Sequence, residues 1–173
     1  MATEVKSESA KIECHRLDTD KQVLFYENDF YVLSNFSAFR MQWGPYDFDT
    51  SEHLYHWRRF HLAGTPEADA VARKIMDARS AHDAFKIAQA NKHLQVRTWP
   101  EIKVGEMHAI IRAKADQHEY VRTKLLATGN RELIEDSWRD GFWGWGPHRD
   151  GDNVLGRLWM EVRAELRAAK ATQ

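Results

Sequence analysis

From residue 49 onward, apolar side chains recur three or four positions apart in one short segment after another, each closed by Gly, Pro or a polar cluster. That spacing puts them on one face of a helix and commits most of the chain to packing helix against helix. Asp49-Thr50-Ser51-Glu52 reads as a capping box opening a helix that runs to about Ala63, where Gly64 and Pro66 stop it. Ala68, Val71, Ala72, Ile75 and Met76 stripe a second helix, over 67–77, and Phe85 and Ala88 share a face of a third, over 81–91. Pro100 stands where a fourth can start, with Ile102, Met107, Ile110 and Ile111 as its stripe. Tyr120, Val121 and Leu125 mark a fifth, closed by Gly129. The last spans 154–169, with Leu155, Trp159, Val162 and Leu166 on one face and Arg163 and Arg167 in its late turns. Strand-like runs are short and early: 23–26, 30–33 and 39–43, the last closed by Gly44-Pro45. The expected fold is mainly α (α+β): one compact multihelical domain over 22–170, a small β element near its start, and a disordered charged tail over 1–21.

A chain of 173 residues can bury one core without disulfides or a structural metal. Its 25 Lys and Arg balance 26 Asp and Glu, so it carries no charge footprint for general nucleic-acid or membrane-surface binding. No apolar run approaches the roughly 20 residues that cross a bilayer, and the first residues lack the apolar core of a signal peptide. The single cysteine, Cys14, excludes an internal disulfide framework and Cys-cluster zinc sites, and in a charged tail it is a poor nucleophile. The expectation is a soluble cytoplasmic protein. Seven Trp, five Tyr and eight Phe make 12% of a chain whose mean hydropathy is only −0.66. Rings in that number either fill the core or line a pocket for a flat ligand.

The stretch from Asp140 to Asn153 joins both possibilities. Its glycines at 141, 144, 146 and 151 are interleaved with Trp143, Trp145 and several polar residues. Glycine lets a ligand approach the main chain closely, and long loops of this mix are often functional. The plainer alternative is a rigid surface loop whose tryptophans plug the core.

Glu52, early in its helix, has two readings. It can reach back to the backbone of Asp49 as a cap, or it can serve as a proton acceptor or stabiliser of positive charge, its ionised form favoured by the helix dipole. His53 and His56 share a helix face, but His61 is out of step and no HExxH pattern occurs, so no metal is expected. Arg58 and Arg59 can grip a phosphate or can be solvated charge. No serine-hydrolase elbow, phosphate loop or dinucleotide fingerprint is present. What remains is carboxylates, Glu52 and Asp140, beside candidate stacking rings at Trp99, Trp138, Trp143 and Trp145. Cleaving a C–N glycosidic bond needs little more, although the same residues describe many proteins that catalyse nothing.

At this level of detail the chain resembles the YbiA-like, or NADAR, family. The resemblance rests on Phe25-Tyr26, Ser34-Asn35-Phe36 and Thr50-Ser51-Glu52-His53, then 125–129 followed by Leu133-Ile134-Glu135. It continues through Asp140, Trp143-Gly144 and Gly146, then Gly151, Asn153, Leu155-Gly156, Met160 and Arg163, and covers about 23–166. It implies a mainly helical hydrolase of N-glycosidic bonds. In one branch the substrates are phosphoribosylated pyrimidine intermediates of riboflavin synthesis, in another ADP-ribose joined to guanine. By that resemblance Glu52 and Asp140 are the expected catalytic residues. Trp143 and Trp99 would sandwich the ring, Asn35 and Asn153 would make polar contacts, and Arg59 and Lys86 would hold the phosphate. No cofactor is implied, and the partner is a small nucleotide-like substrate.

Two positions depart from the family pattern. Arg59 stands where family members commonly carry a lysine, and a guanidinium that stays protonated cannot form a Schiff base with an opened ribose. The segment 80–89 lacks the usual Ser-Pro start and Gly-Arg end, leaving Lys86 to compensate. If the family uses the Schiff-base route, this chain either works by direct water attack or has weakened activity, and both departures point to a divergent substrate. The leading expectation is hydrolysis of the C–N bond between a ribose phosphate and a nitrogen heterocycle, foremost a phosphoribosylaminopyrimidine. Hydrolysis of ADP-ribosyl-guanine, or binding of ADP-ribose or a related nucleotide without catalysis, are the rivals.

Overall fold

Thr50, Thr65 and Ser80 each sit in extended backbone and accept a hydrogen bond from the N–H three residues on, which starts three of the six helices. These are α1 (Ser51–His61), α2 (Pro66–Met76) and α3 (Ala81–Ala90) in a computed structural model that describes residues 18–26 and 30–171. The longer α4 (Trp99–Gln117) has Pro100 in its first turn, and α5 (Glu119–Ala127) follows directly. Gly129, at φ +61°, turns the chain away from α5, and α6 (Val154–Ala171) ends the domain. Helix α1 is central, packing on α2, α3 and α4, while α6 lies against α4 and a short strand. The rings Phe25, Phe48, Phe60 and Trp159 are essentially inaccessible, so much of the aromatic excess fills the core.

The strands are β1 (Gln22–Phe25), β2 (Met41–Trp43), β3 (Tyr46–Phe48) and β4 (Glu132–Glu135). A hairpin through Gly44 pairs β2 with β3, whereas β1 pairs in parallel with β4, Phe25 opposite Glu135. The chain therefore crosses most of the domain before completing its first sheet. Leu133 and Ile134, two apolar residues between glutamates, carry no local strand signal, and only the distant partner makes them one. The run 30–33, expected as a strand, is instead a turn of 3-10 helix (Tyr31–Leu33). Val32 and Leu33 are both buried, which breaks strand alternation, and the Leu33 carbonyl is taken by the Trp159 indole N–H at 2.8 Å. Residues 18–21 belong to the fold: Asp18 Oδ1 accepts the Leu24 N–H, and the Lys21 carbonyl accepts the Glu132 N–H. The rest of the expected tail, with Cys14, lies outside the described residues.

Lys114 of α4 is fully buried, and its ammonium donates to the Ser34 carbonyl at 2.9 Å and to Ser37 Oγ at 2.7 Å. It thereby fastens the loop 34–37 to the helix bundle. Burial pulls this amine down to about 7. An unfolded lysine titrates near 10.4, so between these values the unfolded chain holds a proton that the folded chain has released, and folding gains stability as pH rises. Urea unfolding at pH 7 and pH 9.5 should show the wild type gaining roughly 3 kcal/mol more than Lys114→Met over that interval. Equal changes in the two proteins would contradict this account of Lys114.

Candidate active site

One face of α1 carries Glu52, Tyr55, His56 and Arg59, at i, i+3, i+4 and i+7. Because the N-cap is Thr50 rather than Asp49, Glu52 is the second helical residue and does not close the expected capping box. Its N–H instead donates to the Asn35 carbonyl at 3.1 Å, in the loop that Lys114 fastens. The residue is 7% exposed, and its Oε1 lies 2.9 Å from His56 Nε2.

Tyr55 is the hub of the aromatic rings. Its ring centroid is 5.0 Å from Trp99 and 5.7 Å from Trp143, edge-on to the latter. Burial, followed by the charge of Glu52, holds its phenol well above the ordinary range, opposed by Arg59, with Asp140 adding a further upward push. Tyr55 therefore keeps its proton as a donor. Trp99 is buried and forms a wall behind it, while Trp143 is half-buried and offers a face. Arg59 is 5% exposed, with Nε donating to Gln95 Oε1 at 2.6 Å. Burial lowers its affinity for the proton, which Tyr55 and Glu52 partly restore. Arg58, weighed with it as a phosphate grip, is bound in bidentate fashion to Glu106 on α4, at 2.6 and 2.9 Å.

The loop 140–153 closes on its own backbone. Asp140 Oδ1 accepts the N–H groups of Phe142 and Trp143, at 2.9 and 2.8 Å, and so aims the Trp143 ring. A Cβ on Gly144 would meet the Glu135 carbonyl at 2.6 Å, so this glycine serves chain-on-chain packing. Asn153 spends both ends of its amide on β4, Oδ1 accepting from the Glu135 N–H and Nδ2 donating to the Leu133 carbonyl. Its left-handed backbone, φ +48°, is one that Asn tolerates.

These bonds hold Glu135, which the motif reading placed in a family block without giving it a role. The residue is part-buried and its carboxyl has no hydrogen-bond or ion-pair partner among the described residues. Burial, then the charges of Asp140 and Glu52, push it up to about 8. Glu135 thus holds its proton near neutral pH in a group with Glu52 and Asp140, an arrangement suited to dividing acid from base.

Of the expected site residues, Glu52, Arg59, Trp99, Trp143 and Asp140 converge on Tyr55, and Asn35 abuts Glu52 through its backbone. The Asn35 amide donates to Met107 Sδ at 3.2 Å, and its buried Oδ1 has no hydrogen-bond partner among the described residues. Asn153 acts from behind β4. Lys86 is exposed and lines a separate depression of about 470 Å³ with Lys74, Asp77, Arg79 and Asp83. His53 is consumed by structure, its ring nitrogens bonding Thr50 Oγ1 at 2.8 Å and the Ala78 carbonyl at 3.1 Å. Among the described residues no group of three His, Cys, Asp or Glu is placed to hold a metal ion, and no helix is long and apolar enough to cross a membrane. Tyr55 could have been found by following the helical face from Glu52. Glu135 could not, because a distant loop sets its environment.

Comparison with known proteins places this geometry. The family model described as the NADAR domain matches residues 24–167. N-glycosidase YbiA of Escherichia coli (strain K12) is 32% identical over 154 residues, 87% of this chain and 92% of that protein. A riboflavin biosynthesis protein of Vibrio vulnificus (strain YJ016) is 34% identical over 149 residues, 85% of this chain but only 39% of the Vibrio protein's length. The NMR structure of E. coli YbiA superposes with a TM-score of 0.77 at 29% identity, covering 89% of each chain.

Proposed function

The chain belongs to the NADAR domain family, and from that membership we propose that it hydrolyses the C–N bond joining a ribose phosphate to a nitrogen heterocycle. The observation that supports this most is the carboxyl trio of Glu52, Asp140 and Glu135, the last pushed up to about 8, with the half-buried Trp143 indole against Tyr55. The preferred substrate is a phosphoribosylaminopyrimidine of the kind made on the way to riboflavin. The Vibrio relative's name supports that choice.

In the proposed reaction the heterocycle stacks on Trp143, with Trp99 and Tyr55 behind. The Arg59 guanidinium pairs with the phosphate. As the bond from the sugar's anomeric carbon to nitrogen breaks, Glu52 faces the growing positive charge and takes a proton from the attacking water, whose oxygen bonds to the anomeric carbon. Glu135 delivers its proton to the departing nitrogen, and Asp140 sustains that proton by its charge while it holds Trp143 in place. The water proton on Glu52 returns to solvent and Glu135 is reprotonated, so one water is consumed per bond cleaved. Since Arg59 forms no imine, attack by water is direct.

An acid that must be protonated loses activity as pH rises through its titration. The kcat/KM of the wild type is expected to fall above about pH 8, and Glu135→Gln to lower the rate roughly a hundredfold and abolish that alkaline limb. A limb unchanged in Glu135→Gln would remove Glu135 from the mechanism. The substrate class is tested by comparing phosphoribosylaminopyrimidine with ADP-ribosyl-guanosine, following free base by chromatography. A higher kcat/KM for the former supports the proposal, and a higher value for the latter assigns the chain to guanine de-ADP-ribosylation.

A further inference from the structure

We infer that His56 is a positioning residue for Glu52, fixing one carboxylate oxygen so that the other faces the sugar. This rests on the N-glycosidase reading above. His56 lies one helical turn beyond Glu52, and the two side chains are 4% and 10% exposed. A carboxylate oxygen can only accept, so at 2.9 Å His56 Nε2 carries the hydrogen and donates it to Oε1. Oε2 makes no hydrogen bond among the described residues, which leaves it available to the reacting centre. With Oε1 held, the plane of the carboxylate no longer turns freely about its terminal bond.

The other ring nitrogen shows that this geometry is held at a cost. Nδ1 is buried and has no hydrogen-bond partner among the described residues. The imidazole is bracketed by the Tyr55 ring at 5.2 Å and by Phe85 of α3 at 5.9 Å, neither of which satisfies it. A residue present only to fill this space would serve as well without a nitrogen there, since an unpartnered buried polar atom is unfavourable. The imidazole's contribution is the Nε2–H directed at Glu52. Tyr55, between His56 and the tryptophans, completes the packing that prevents the ring from rotating away.

Two variants separate positioning from filling. Glutamine can place an amide N–H near the Nε2 position, whereas leucine matches the volume and donates nothing. With phosphoribosylaminopyrimidine as substrate, His56→Leu is expected to lower kcat roughly ten- to a hundredfold with KM within about twofold, the scale of a misoriented catalytic group. His56→Gln is expected to stay within about threefold of wild type. Wild-type rates in His56→Leu, or a glutamine variant no better than leucine while both melt like the parent, would overturn the inference. A second readout needs no turnover: ring-nitrogen NMR should show His56 protonated at Nε2, with the signal moving in Glu52→Gln. A bare Nε2 would overturn the pairing even in an active enzyme. Absence of turnover by the wild type with both substrates would instead reject the N-glycosidase reading and leave the NMR result to decide the pair.

Discussion

Glu52→Gln is expected to fold like the parent and to release free base at least about a hundredfold more slowly, the scale of losing a general base together with its charge. The amide is nearly isosteric and can still meet the His56 Nε2–H through its oxygen, so the contact at 2.9 Å survives. It can neither take a proton from water nor oppose positive charge on the sugar. Loss of a carboxylate from the first turn of α1 costs under about 1 kcal/mol through the helix dipole, so melting should move by only a few degrees. Steady-state rates and a thermal melt on the same preparation check both parts. An unaffected rate would transfer the catalytic role away from Glu52, and a collapsed melt would mean that Glu52 is chiefly a structural group.

Gly156→Ala is expected to be the most damaging single-methyl change in the domain. A Cβ there would stand 2.0 Å from the Leu133 carbonyl and 2.6 Å from both ends of the Asn153 amide. None of these atoms can yield independently, because Asn153 is itself bonded to the Leu133 carbonyl and the Glu135 N–H. Helix α6 must move off β4, at a cost of about 3 kcal/mol or more, the upper range for forced overpacking. For a chain of this size that lowers Tm by roughly 6–12 °C. The damage also reaches the chemistry, since the displaced strand carries Glu135. Any folded fraction should be slower than wild type and should have a shifted alkaline limb. A melt within 2 °C of the parent would show that the contact between α6 and β4 is looser than described.

Much of the fold was legible because its signals are local. The segment 49–52 announces a helix start, one residue off its true cap at Thr50, and the apolar stripes of α2, α4 and α6 each need only their own segment to be seen. The missed elements depend on distant partners. Strand β4 exists because β1 lies beside it, and the turn at Tyr31–Leu33 exists in part because Trp159, far along the chain, claims a carbonyl. The site divides in the same way. Glu52 and Arg59 lie two turns apart on one face of a helix, so the sequence alone places them side by side. The family resemblance implies a polar contact for Asn153, yet both ends of its amide are spent on β4. Glu135 is an ordinary glutamate at a strand end until Asp140 and Glu52 are brought near it.

The most direct test of the central claim is to incubate the wild-type protein with phosphoribosylaminopyrimidine and quantify free pyrimidine and ribose 5-phosphate together by chromatography. The account predicts equal molar release of both, in many-fold excess over protein, with Arg59 in place. A thermal shift on adding the same compound, with neither product formed, would contradict it and make the residues around Tyr55 a binding site only.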